Sequence, residues 1–310
     1  MQNEDQSTLP AGIVIKQLRQ ARALTQKEVY QDIVSRSFYS RLEHGQYDVD
    51  ATHLWQLLDR LSVGTAEFDY LRRNHQITSE VSLLNTISDL YARHRFDELK
   101  QLYVAKRSSR LEFDRLLASE IYTLVRAYGT NMFKMAVEPS LIAVEHLENL
   151  SQWSLFELQL AGPAIWTVNS LKRKQALVER GEACYHFYVA MNGSYAANLR
   201  ETLWLNYLQD LLTRPTYVKD AKFSDAKKVW QEIDALSDLS SDFNCRLERL
   251  TSHVIGALYF DDNQQAAINQ AHQLLTTFRM LNDKSKHQIS IEEEIITFQL
   301  TRAQEYHRYH

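Results

Sequence analysis

Glycine and proline are scarce in this chain, 8 and 4 among 310 residues. With so few breakers, and Leu, Ala, Gln and Glu abundant, a loop-rich or all-β fold is excluded and an all-α one is predicted. The 2 cysteines, Cys184 and Cys245, sit in apolar helical patterns without metal or redox spacing. That rules out a disulfide framework and predicts buried free thiols in a reducing compartment. No apolar run approaches the roughly 20 residues of a membrane span. The opening MQNEDQSTLP is acidic and polar, unlike a secretory signal. Together these predict a cytoplasmic protein with no membrane partner. Also missing are GxSxG, HExxH, a glycine-rich phosphate loop and CxxC, so no enzyme, cofactor or metal is expected. Cys184 and His186 are two apart on a helix and point in different directions. The run Glu292–Glu293–Glu294 reads as a solvated helix face, and His307 and His310 as part of a frayed end.

What is present is a packed composition, 45% hydrophobic and 24% charged, at a length that suits two domains or a repeat array. Net charge is −4, yet residues 11–45 carry Lys16, Arg19, Arg22, Lys27, Arg36 and Arg41 against Glu28, Asp32 and Glu43, six minus three. Phosphate contact needs such a local basic face, not a basic protein.

The same region lays out short helices. One runs over about 12–22 with Ile15 and Leu18 inward. Thr25 with Glu28 makes a capping box opening a second, with Val29 and Ile33 on one face. Ser35 caps a third, which Gly45 ends in a left-handed conformation. Asp50 caps a fourth with a Leu54, Leu57, Leu58 and Leu61 stripe. Thr65 caps a fifth that buries Phe68 and Leu71. A short helix, a tight turn and a helix showing Arg and Ser on its first turns suit a major groove. Arg36, Ser37 and Ser40 are placed to meet base edges, with Arg41 one turn further on. Gln26 is placed to touch a phosphate, and Lys16 and Arg19 to lie along the backbone. Arg41 could instead pair with Glu28 or Glu43. Phe38 and Tyr39 suit core packing, and Trp55 core or interdomain packing.

Residues 1–10 are expected to be disordered, 11–74 to form the helix-turn-helix domain, 75–79 a linker, and 80–310 a helical repeat domain. Beyond the linker, helical periodicity recurs in Val81, Leu84, Ile87 and Tyr91, in Leu117, Ile121, Leu124 and Tyr128, and in Leu247, Leu250, Val254 and Leu258. Polar breaks fall at Gly129–Thr130, Asn192–Gly193–Ser194, Arg214–Pro215–Thr216, Ser240–Ser241 and Asn282–Asp283, among others. Antiparallel helix pairs stacked in a tetratricopeptide-like α-solenoid fit this spacing; a compact non-repeating bundle is the alternative.

LTQKEVYQDIVSRSFYSRLEHGQYDVD (24–50) followed by LWQLLDRLSV (54–63) resembles the N-terminus of the Rgg/GadR/MutR transcriptional regulators, within the wider XRE helix-turn-helix class. SRSxxSRxExG at 35–45 is its core, and WSLFELQLAG (153–162) is similar to a mid-chain segment of the family. The turn before Val34 lacks the glycine common in XRE repressors, and Gly162–Pro163 stands where family members often have Gly-Asn. The resemblance implies a DNA-binding domain joined to a tetratricopeptide-like domain that binds short secreted pheromone peptides reimported into the cell. It also implies a homodimer, here without the bridging cysteine some members carry near the DNA-binding domain.

A helical surface that receives an extended peptide needs side-chain amides and Arg to satisfy peptide backbone groups. Arg126, Asn169, Asn198, Arg200 and Asn206 are the candidates. The expected function is a promoter-binding regulator controlled by a short signalling peptide in quorum sensing. The alternatives are a helical-repeat interaction scaffold and a stress-responsive regulator of the same fold without a peptide.

Overall fold

The computed structural model describes residues 8–128, 135–191, 193–213, 222–236, 242–281 and 290–309. Among them are sixteen helices and no strand. The expected breaks at Gly129–Thr130, Arg214–Pro215–Thr216, Ser240–Ser241 and Asn282–Asp283 lie outside the described residues, as do His310 and residues 1–7 of the N-terminal segment. The chain divides into two compact units between Thr86 and Ile87. That point falls inside helix α6 (Ser79–Ala92), beyond the break that follows the fifth helix.

The first unit holds α1 (Ala11–Ala21), α2 (Gln26–Tyr30), α3 (Arg36–Glu43), α4 (Ala51–Arg60) and α5 (Thr65–Arg72). Its caps follow local chemistry. Thr25 and Glu28 form the capping box. Ser35 accepts from the Phe38 N–H, and Asp50 from that of His53. The fifth helix is a correction. Gly64 is its N-cap, without a side-chain bond, and Thr65 is already helical. A cap needs extended backbone, which Gly64 adopts at φ −72°, ψ 154°. Before α1, Leu9 donates its N–H to Arg72 O at 2.8 Å.

Val14, Ile15, Leu18, Val29, Tyr39, Leu42, Leu57, Leu58, Leu61, Val63 and Phe68 make the unit's core. Trp55 is not part of it, being 56% exposed. Gly45, at φ 69°, ends α3 as expected, and Asp32 takes the left-handed position between α2 and α3 at φ 65°. Asp tolerates that region better than most side chains, which is how this turn manages without glycine. Arg60 of α4 donates to Glu28 O at 3.1 Å and Gln31 O at 3.4 Å, closing the end of α2. At Gly12, α1 touches the α3 backbone: a Cβ there would stand 1.7 Å from Leu42 O.

The second unit is a two-layer helical stack. Helices α8 (Glu112–Tyr128), α10 (Leu155–Ala164), α12 (Gly193–Thr213), α14 (Phe243–Phe260) and α16 (Ile291–Tyr309) pack each against the next. Helices α7 (Phe96–Lys106), α9 (Glu138–Asn149), α11 (Leu171–Tyr188), α13 (Lys222–Ala235) and α15 (Gln264–Leu281) lie against them in a second layer. This is the arrangement of an α-solenoid. One apolar core runs from Leu116 to Ala303.

Helix α12 is buried on almost every side, so its charges must be matched internally. Arg249 makes a bidentate pair with Glu201 at 2.6 and 2.7 Å, and Arg200 meets Glu201 at 3.0 Å. Lys174 pairs with Asp210 and donates to Ile165 O. Cys184 and Cys245 are buried free thiols, and burial pushes the Cys184 thiol up to about 11. The acidic run is not wholly solvated: Glu293 is buried against Arg279 at 3.1 Å. Nor is His307 frayed, since its Nε2–H donates to Leu258 O at 2.8 Å. No helix among the described residues is long and apolar enough to cross a membrane, and none of their side chains cluster as a metal site.

Candidate functional site

Two surfaces are candidates for function, one in each unit. In the first, α3 is anchored by its inner side. Tyr39, Leu42 and Glu43 are buried, and Glu43, at 1% exposed, is the acceptor at the centre of the anchor. Arg19 donates to its two oxygens at 2.6 and 3.0 Å and to Leu24 O at 2.8 Å, and Gln26 donates to Glu43 at 2.8 Å. Burial pushes the Glu43 carboxyl up, but the Arg19 and Gln26 hydrogen bonds outweigh it and hold the group below the usual carboxylate range. Arg19 and Gln26 therefore fix α3 against α1 and α2.

Removing the charge tests this anchor. Glu43→Gln should lower the stability of this unit by about 2 kcal/mol at neutral pH, because Arg19 stays largely enclosed without a counter-charge. Because the Glu43 pKa is depressed on folding, the loss relative to the parent should shrink as pH falls below about 4. Equal urea midpoints at pH 7 would show that the pair does not hold the unit.

The outer side of α3 presents Arg36, Ser37 and Arg41, all exposed, with Ser40 half-buried among them. Among the described residues, Arg36 and Lys16 have neither a hydrogen-bond nor an ion-pair partner. Arg41 pairs with neither Glu28 nor Glu43, which are taken by the Thr25 cap and by Arg19. Instead it donates to Tyr47 Oη at 2.9 Å and lies 5.4 Å over the Tyr47 ring. Tyr47 stacks on Phe38 at 5.9 Å. Tyr47 is not evident from sequence: it lies beyond Gly45, outside α3, and no helical spacing links it to Arg41.

The second surface is a stripe on α12. After its first turn only Asn198, Leu199, Thr202, Asn206 and the terminal Thr213 escape burial. Tyr195, Asn198, Leu199, Thr202 and Asn206 recur at helical spacing, on one face. Tyr195 Oη donates to Gln159 Oε1 of α10 at 3.2 Å, and Gln159 Nε2 reaches Glu120 Oε1 of α8 at 3.4 Å. Thr202 Oγ1 lies 3.0 and 3.1 Å from the two oxygens of Glu248 on α14. Cys245 Sγ–H donates to Asn198 Oδ1 at 2.9 Å. At Gly162 of α10 a Cβ would sit 3.6 Å from Asn206 and from Thr202.

Two carboxyls here are raised. Burial takes Glu120 up to about 7 against the weak pull of Gln159. Burial takes Glu248 up to about 8, opposed by Thr202 and reinforced by Glu201, Glu292 and Asp242.

Of the peptide-contact candidates, Asn198 and Asn206 lie on this stripe. Arg200 does not. It is 1% exposed, 4.0 Å over the Tyr185 ring and paired with Glu201. Arg126 donates to Met135 O at 3.4 Å, and Asn169 is exposed in the break after α10. Glu120, Gln159, Tyr195, Thr202 and Glu248 were missed, being single polar residues on separate helices with no shared spacing.

Residues 15–68 match a helix-turn-helix family model, so the first unit contains a helix-turn-helix domain of the kind its caps and turn describe. Over nearly its whole length the chain then has the fold of several solved structures. A candidate transcriptional regulator from Listeria monocytogenes EGD-e is 18% identical, with 97% of this chain and 99% of that one covered at a TM-score of 0.74. The SHP pheromone receptor Rgg2 of Streptococcus dysgalactiae is 18% identical, over 97% and 100%, at 0.63. PrgX in its complex with cCF10 is 15% identical, over 96% and 93%, at 0.61.

Proposed function

We propose that this chain is a cytoplasmic transcriptional regulator that reads promoter DNA through α3 and is controlled by a short signalling peptide held on the α8–α10–α12–α14 layer. The observation that carries the first half is the division of α3 into a buried, locked side and an outer side of Arg36, Ser37, Ser40 and Arg41. Arg36 and Arg41 reach guanine edges and the two serines add polar base contacts. Lys16 meets phosphate from α1, and Gln26 contributes from the start of α2 while holding Glu43. Arg19 acts through Glu43, by setting the angle of α3. Residues 11–74 are the DNA-binding domain and 80–310 the regulatory and dimerising one. A homodimer places two copies of α3 on an inverted repeat.

The second half rests on the half-open polar stripe of α12, on the shared fold, and on the pheromone receptors that have that fold. Asn198 and Asn206 bind peptide backbone groups, with Arg126 and Asn169 at the margins. A peptide acts by preferring one arrangement of the dimer over another.

Fluorescence anisotropy with the duplex upstream of the protein's own gene, against a scrambled duplex, tests the DNA half. Arg36→Ala and Arg41→Ala should each weaken specific binding about tenfold or more, within the roughly 1–3 kcal/mol of one bidentate base contact, and leave thermal stability unchanged. Unaltered affinity in both variants would overturn the assignment and favour an interaction scaffold.

A further inference from the structure

The second unit neutralises its enclosed carboxylates with its own cations. Glu201 takes Arg249 and Arg200, and Asp210 takes Lys174. Two carboxyls beside the α12 stripe break that pattern. Among the described residues neither Glu120 nor Glu248 has a cation within ion-pairing distance. Glu120 is the sharper case. It is 6% exposed, its Oε1 has only a long amide contact, and its buried Oε2 has no hydrogen-bond partner. An enclosed acceptor left bare is destabilising, and most native structures avoid one. Gln159 links Glu120 to Tyr195, which is 41% exposed. Gln159 and Tyr195 are thus the side chains that join Glu120 to the stripe.

We propose that the α12 face takes a peptide carrying a basic group, and that this group, a Lys or Arg side chain or an N-terminal ammonium, seats on Glu120 in place of the Gln159 amide. The inference rests on the peptide-binding reading above and adds the ligand's chemistry to it. The amides of Asn198 and Asn206 hold the peptide backbone, and Glu248, on the opposite flank, is a second carboxyl with no cation of its own among the described residues. Thr202 already donates to Glu248, so that carboxyl keeps a partner without ligand, whereas Oε2 of Glu120 has none. An anionic side chain at the same place would meet the Glu120 carboxyl, which has no cation beside it among the described residues.

The test uses the full-length protein and a fluorescein-labelled series of leucine-rich octapeptides in which one position at a time is Lys, norleucine or Glu. At one position Lys should bind at least tenfold tighter than norleucine, with Glu weaker than either. Glu120→Gln should abolish that preference while still binding the norleucine peptide. Tyr195→Lys supplies an amine from within the chain at an exposed position, and should abolish it too. The second variant keeps the test open if the first misfolds. Peptides that bind with no preference for Lys would overturn the inference and leave the peptide reading standing. No binding by any octapeptide would overturn both.

Discussion

Gly12→Ala should unfold the N-terminal unit or strip it of stability while the helical stack stays intact. The new Cβ would stand 1.7 Å from Leu42 O and 2.4 Å from Leu42 C. Both are backbone atoms, so no rotamer change relieves the clash. Helix α1 would have to withdraw from α3, loosening Val14, Ile15 and Leu18 in the core and drawing Arg19 from Glu43. Alanine is the better helix former by about 1 kcal/mol, but overpacking against a fixed backbone costs about 3 kcal/mol or more, so the clash wins. Calorimetry should show the first unit's transition shifted down or missing, with the second unit's unchanged, and duplex binding lost. A parental melting profile would mean that the α1–α3 approach is looser than described.

The second large effect depends on pH. A carboxyl whose pKa is raised on folding stabilises the native state fully at acid pH, where it is protonated in both states. That contribution falls as pH rises from its unfolded value towards its folded one, and above that the deficit is constant. For Glu120 the window runs from 4.5 to about 7. At 1.36 kcal/mol per unit the deficit at pH 8 is roughly 3 kcal/mol. Glu120→Gln removes it. The variant should match the parent near pH 4.5 and exceed it at pH 8 by up to that amount, read as urea unfolding of the C-terminal unit across the range. The remaining slope belongs partly to Glu248, raised to about 8. Parallel curves for parent and variant would show that Glu120 titrates as an ordinary carboxyl.

Much of the first unit was legible because short-range rules govern it. The Thr25–Glu28 box, the Ser35 and Asp50 caps and the left-handed Gly45 each involve residues a few positions apart, and the structure places all four as expected. Thr65 failed where the extended residue proved to be its neighbour, Gly64. The partner of Arg19 lies 24 residues away, and no local spacing announces it. The glycine that admits α3 to α1 looks, in sequence, like an ordinary helix start.

The second unit was legible only as periodicity. Helix α12 is nearly uniform in burial, so its one open stripe is set by what packs around it. Arg200, expected among the peptide contacts, is internal, whereas Glu120, on a separate helix, lies next to that stripe. Polar residues on four separate helices meet only after the stack has formed.

The clasp between Arg41 and Tyr47 bears on how α3 can act. A free arginine gives up much of roughly 2 kcal/mol of rotamer entropy when it grips a ligand. Arg41 has surrendered part of that freedom in advance, held by a hydroxyl and a ring that leave several of its donors unused. Arg36, five residues earlier, keeps all of its freedom. On the proposed reading of DNA, Arg41 would be the stiff arm that sets the register on contact, and Arg36 the one that adapts to it.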